Sequence, residues 1–288
     1  MQGRAKLDRL QELSASGANV NRPSDDPIAS RLLLDVGNKL KAATQYTSNI
    51  SKANTFMSVT SAALQGMADT MTLAKRLVAS YPPGTTDTTA QASAISQLKA
   101  LKQQMIDMGN TQSGDQYIFG GAKNLSPPFS NNTPPALPVY AGDETETRVE
   151  IASNTTELMN IPGNQLLMAD SAVSQPYGTV NILKTFDDMM AAIQTNTTEA
   201  ITAAANSLED GAKQITNAQS GLAARIQRLD SLSTMHTNNI NTLETIVGNT
   251  QNVDYAKLAV QISQQEIAFN ASLSSTAKLS SLSLLDYL

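Results

Sequence analysis

Two adjacent carboxylates, Asp25 and Asp26, stand inside "NVNRPSDDPIAS" (19–30). Such a pair could serve as a general acid and base or hold a hard metal ion. No His, Glu or Asn follows at ligand spacing, and the alternating carboxylates of a calcium loop are missing. The residue types fit a helix start better. Pro27 suits a first helical position, the residue before a proline is driven out of the helical region, and the Asp26 carboxylate is placed to accept from the free N–H groups of Ile28 or Ala29. Arg22 is placed to pair with Asp25, and Pro23 stiffens the approach. Asn21, Arg22, Pro23, Ser24, Asp25, Asp26 and Pro27 therefore read as a joint ahead of a long helix.

The remaining candidates for chemistry are weaker. His236 is the only histidine, and it falls on a heptad seam, where a lone histidine sets register or packs. "GDQYIFGGAK" lacks the spacing of a phosphate loop, and Asn124 stands where Ser or Thr should follow Lys123. Met57, Met67, Met71, Met105 and Met108 lie at helical spacings and read as packing residues. The sequons at Asn124, Asn131 and Asn154 arise by chance in a chain this rich in Asn, Ser and Thr. No catalytic residue, metal site or cofactor is implied. With no cysteine there is no disulfide or thiolate chemistry. A net charge of -5 without a basic cluster excludes nucleic acid, and no apolar run is long enough for a membrane span.

What must carry any function is therefore the helices. Leu33, Val36, Leu40, Ala43, Ile50, Met57, Leu64, Ala68, Met71 and Val78 recur at alternating steps of three and four, with only Thr47, Asn54, Ser61 and Lys75 interrupting. This predicts one long helix ending before "YPPGTT", since Pro82 and Pro83 break it. A second helix is expected over Thr88 to Gly109. A return seam follows at Leu222, Ile226, Leu229, His236, Ile240, Leu243 and Val247, and it should pack antiparallel to the first. Aromatic residues at 4% and no Trp indicate thin helix-on-helix packing.

The stretch from Gly114 to Pro176 differs in kind, holding Pro127, Pro128, Pro134, Pro135, Pro138, Pro162 and Pro176. Tyr117/Phe119 alternate with Gln116/Ile118, and Val149/Ile151 with Arg148/Glu150, the period of short strands. The fold class predicted is mainly α: a long antiparallel helical rod built from both chain ends, with a small β-rich insert that leans on the helices. The expected divisions are residues 1–20 as a remnant of a terminal helix, 21–115 with 179–250 as the rod, 116–178 as the insert, and 251–288 as a C-terminal helix capped by Asp254. Helix resumes near Thr179, pauses at "TNTTE" and runs on from Ala200. Tyr255 to Leu288 would make a helix of roughly 50 Å. Met1 to Leu13 is too short to cover it, so its face through Ala256, Val260, Ile267, Ala271 and Leu285 should pack on other subunits.

"SGANVNRPSDDPIASRLLLDV" resembles the N-terminal signature of the flagellin superfamily, and its "RPSDDP" form is more like the hook-associated branch than flagellin itself. "SGDQYIFGGAKNLSPPF", "NIPGNQLLM" and "NASLSSTAKLSSLSLLDYL" resemble, in order, that branch's link into its β domain, the end of that domain and its terminal helix. The resemblance implies a non-enzymatic, type III-exported, extracellular flagellar protein at the hook–filament junction. Its implied partners are the first hook-associated protein FlgK, flagellin, further copies of itself in a ring and an export chaperone. Superfamily members carry a longer helix before the SG motif, so the resemblance also implies that Met1 to Ser16 is a shortened one. Three alternatives stay open: a flagellin forming the filament, a secreted hydrolase using Asp25, Asp26 or Glu150, and a generic coiled-coil scaffold.

Overall fold

The computed structural model describes residues 2–82, 84, 87–130, 139–169 and 175–285. Pro83, Asn131, Pro134, Pro135 and Pro138, named above, lie outside the described residues, as does the side chain of Leu285. Seven helices dominate the described chain: α1 (Gln2–Ser16), α2 (Pro27–Ser80), α3 (Thr88–Gly109), α4 (Gly163–Leu167), α5 (Ile182–Thr195), α6 (Thr198–Gln251) and α7 (Tyr255–Leu285). Six short strands stand between α3 and α4: β1 (Gln112–Ser113), β2 (Gln116–Tyr117), β3 (Phe129–Ser130), β4 (Val139–Tyr140), β5 (Arg148–Ala152) and β6 (Thr155–Leu158). They pair antiparallel as three two-stranded sheets. No described helix is long and apolar enough to cross a membrane.

The helix boundaries follow from caps. The Asp87 carboxylate accepts from the N–H groups of Thr89 and Ala90 at 2.9 and 3.2 Å, so α3 begins at Thr88. The Asn181 side chain accepts from Lys184 N at 2.9 Å, which starts α5 three residues later than Thr179. Asn196, at φ 53°, takes the left-handed conformation that ends α5 before α6 begins at Thr198. From there α6 runs unbroken to Gln251, with no interruption between Leu208 and Leu222.

The chain divides into two compact units. The larger comprises Tyr46–Met235. Within it α2 and α6 lie antiparallel: Asn54 bonds Asp230 at 2.8 Å, Gln219 bonds Gln65 at 3.3 Å, and Lys75 pairs with Glu209. Each step along α2 is matched by an equal step back along α6, the register of two helices with the same rise. Ile50, Met57, Leu64, Met71, Leu222 and Leu229 are buried along this seam, and Ile226 is half-buried. Lys102 joins α3 to α5 by gripping both Asp187 oxygens at 2.6 and 2.7 Å.

The β excursion shares this core, since Phe119, Phe129, Ile151, Ile161 and Leu167 belong to the same apolar cluster as Leu98, Met105 and Phe186. Its alternation holds on β5 from Arg148 to Ile151, with Arg148 and Glu150 exposed, Val149 half-buried and Ile151 buried. It fails after β2, because the chain turns there and both Ile118 and Phe119 go inward. The hairpin of β5 and β6 sits against both long helices. Asn49 donates to the Glu150 carbonyl at 2.8 Å, and Arg228 reaches the buried Glu157 carboxylate at 2.8 Å. Gln214, buried on α6, accepts from Val180 N and donates to the carbonyls of Leu166 and Val180, which ties the loop before α5 to the helices.

The smaller unit comprises Met1–Gln45 and His236–Leu288. Here Val36, Ala43, His236 and Leu243 are buried, while Leu33, Leu40, Ile240 and Val247 are half-buried. The seam thus continues through this unit, on a narrower stripe than in the larger one.

Candidate functional site

The smaller unit holds the joint and the terminal helix singled out by sequence. At the joint, Asp26 Oδ1 accepts from Ile28 N at 3.0 Å and from Ala29 N at 2.9 Å, while the Asp26 carbonyl takes Ser30 N. This is the N-cap of α2, with Pro27 in the first helical position. Asp25 Oδ2 closes the preceding turn by accepting from Asn21 N at 3.3 Å and Arg22 N at 3.0 Å. The side-chain pair expected between Arg22 and Asp25 does not form. The Arg22 guanidinium turns instead to Glu12 on α1 at 2.9 Å, and Arg9 takes Asp25 at 3.3 Å. The reason is local: Asp25 already sits under the Arg22 backbone, so the long Arg22 side chain leads away from it. Asn21, Arg22, Pro23, Ser24, Asp26 and Pro27 are exposed, and Asp25 is half-buried.

Beside the joint the chain crosses a second time. Asn19 N donates to the Gln251 carbonyl at 2.6 Å and Val253 N to the Gly17 carbonyl at 3.1 Å, making a one-residue antiparallel bridge between Ala18 and Asn252. Gly17 has φ +67°, and a Cβ there would lie 2.7 Å from the Tyr255 hydroxyl. Only glycine meets both demands. Asp254 then caps α7, its Oδ1 accepting from Ala256 N at 3.0 Å and Lys257 N at 3.1 Å.

From this bridge α1 and α7 run antiparallel. Gly17 lies against Tyr255 at one end, and Gly3 against Phe269 at the other, where Gln265 also donates to the Gly3 carbonyl at 3.1 Å. α1 has 15 residues and α7 has 31, so α1 is spent at about Phe269. On α7, Leu258 is buried and Ile262, Gln265 and Phe269 are half-buried, while Leu10 of α1 is buried. The opposite α7 face is open: Val260 is 56% and Ile267 68% exposed, and Ala256 and Ala271 are exposed too. Every side chain from 271 to 277 is exposed, including Leu273. Ile28 at 84% and Leu34 at 69% add exposed apolar surface at the start of α2, which the heptad reading passed over because neither lies on the seam.

The groups proposed for chemistry are accounted for by packing and turns. Asp25 gives Oδ2 to two N–H groups and Oδ1 to Arg9, and Asp26 gives Oδ1 to two N–H groups. Glu150 Oε1 accepts from the Tyr46 hydroxyl at 3.4 Å. Burial first, then the Glu150 charge and hydrogen bond, push the Tyr46 phenol up. Among the described residues no three His, Asp or Glu side chains gather as metal ligands.

Residues 1–124 match the bacterial flagellin N-terminal helical region. Flagellar hook-associated protein 3 of Salmonella typhimurium is 23% identical over 284 residues, spanning 93% of this chain and 88% of that protein. In structure, a putative flagellar hook-associated protein from Vibrio parahaemolyticus gives a TM-score of 0.69 at 22% identity, over 79% of this chain and 100% of that one. The flagellar junction protein FlgL from Legionella pneumophila gives 0.62 at 13% identity, over 77% and 100%. Long helices from both chain ends, small strand pairs and these likenesses define the class of fold, a flagellin-like one, similar to that of structural proteins of the bacterial flagellum. Within that class the chain is similar over nearly its whole length to flagellar hook-associated protein 3, which favours that kind of component over a filament flagellin and over an enzyme.

Proposed function

We propose that this protein joins the flagellar hook to the filament, sitting as a ring between the first hook-associated protein FlgK and flagellin after type III export with the help of a chaperone. The observation that carries this reading is the open apolar face of α7 opposite α1. Val260 and Ile267 share one side of the helix, and both face solvent, at 56% and 68% exposed. An apolar row of this kind on a secreted structural protein is surface held for a neighbouring subunit. Ala256 and Ala271 let such a neighbour approach closely. The open Ile28 and Leu34 add a second place for neighbours to touch beside the joint. In this reading 21–115 and 179–250 supply the helical body and 251–288 the assembly helix. The seam residues keep that body stiff.

The test is electron microscopy of hooks isolated from cells lacking the gene and from cells in which it is restored. The expected result is hooks that carry FlgK but no filament until restoration. Filaments of normal length without the gene would refute the junction role, and a long homopolymer of this chain would favour a flagellin.

A further inference from the structure

α1 and the joint meet through a reciprocal set of charges. Arg9 and Glu12 are three apart on α1, which places them on one face. Arg22 and Asp25 are three apart in the turn before α2. They meet crosswise: Arg9 takes Asp25 at 3.3 Å, and Glu12 takes Arg22 at 2.9 Å. Asp25 is the inner member, its side chain 18% exposed, and the two N–H groups of its own turn fix its position. Asn21 adds a bond from its side-chain amide to Ser16 Oγ at 2.9 Å. The connection from α1 to α2 is also crossed by the bridge between Ala18 and Asn252, where α6 passes into α7.

We infer that Arg9, Glu12, Arg22 and Asp25 form a salt-sensitive clasp that holds the α1/α7 pair at one angle to the start of α2, with the Ala18–Asn252 bridge as the pivot. The bridge joins both crossings, so α1 and α7 turn together when the clasp opens. Arg9, Arg22 and Glu12 are 56%, 67% and 43% exposed, so the strength of the clasp depends on ionic strength. Crosswise charge also fixes orientation, since sliding α1 along the turn sets like charges together. This is a property of the single chain and goes beyond the assembly role, on which it does not depend.

The natural chain has no cysteine, so paired spin labels can be placed cleanly. Labels at Ala5→Cys and Asn38→Cys report the α1-to-α2 distance, and labels at Ala5→Cys and Ser263→Cys report the α1-to-α7 distance. The expected result is a single narrow α1-to-α2 distribution in low salt that becomes at least about twofold broader near 1 M salt, where the screening length is about 3 Å. Arg22→Glu should broaden it at low salt, and adding Glu12→Arg to that variant should narrow it again. The α1-to-α7 distribution should stay unchanged throughout. The inference is overturned by an α1-to-α2 distribution indifferent to salt and to Arg22→Glu, by a double variant as broad as the single one, or by loss of the α1-to-α7 distance.

Discussion

At the scale of the residue, a few polar side chains decide where this chain turns, and most are aspartates. Asp26, Asp87 and Asp254 each accept two N–H groups at a helix start. Asp26→Ala should cost about 1 kcal/mol of stability, measured by denaturant unfolding, because two N–H groups at the start of α2 lose their acceptor. The turn chemistry of the β excursion hangs on Tyr140. Its single O–H is shared between the carbonyls of Phe119 and Asp143, at 2.9 and 2.8 Å, and its oxygen accepts from Gly163 N at 3.3 Å. Burial leads in pushing this phenol up from 10.0 to about 12. The unfolded chain therefore ionises Tyr140 first, and stability is intact below pH 10 and falls as pH rises from 10 towards 12. Discounted for partial exposure, the loss is about 1 kcal/mol. It should show as an alkaline drop in unfolding midpoint that Tyr140→Phe removes. The caps at Asp26 and Asp254 were legible in the sequence because capping acts over three residues. Arg22 with Glu12 and Gln214 with Val180 were not, since those partners come together only after the chain has folded.

Among the elements, burial separates the two long helices from the terminal pair. Leu64 and Met57 on α2 are fully buried, and Leu64→Ala should cost about 2–5 kcal/mol in equilibrium unfolding, the range for a large-to-small change in a packed core. The α1/α7 pair buries far less, with Leu10 and Leu258 as its buried apolar side chains among those described. Amide exchange should therefore be slow along α2 from Ile50 to Val78, faster in α7 from Tyr255 to Phe269, and fastest from Ala271 onward. Equal protection along all of α7 would mean that something covers its second half. The heptad seams and the limits of α3 could be read from spacing and prolines alone, because they repeat a local period. The strands could be read only in part: β5 keeps its alternation, whereas Ile118 and Phe119 both turn inward at a bend whose direction is set by the core they enter.

For the molecule as a whole, the account comes down to a terminal helix with one apolar face open. The helix itself was visible in the sequence, from the cap at Asp254 and the helical spacing after it. Which α7 face meets α1 was not, because Leu258, Ile262 and Phe269 compete with Val260 and Ile267 for the same role and only the observed packing decides between them. The former row meets α1 and the latter stays open. The most direct measurement replaces Val260 and Ile267 by aspartate together, in cells whose own copy of the gene is removed, and scores filaments on hooks by electron microscopy. Both side chains are exposed, so the purified variant should fold and melt as the natural protein does. The account predicts bare hooks, because two charges on the open face prevent packing against neighbours. Full-length filaments on those hooks would contradict it.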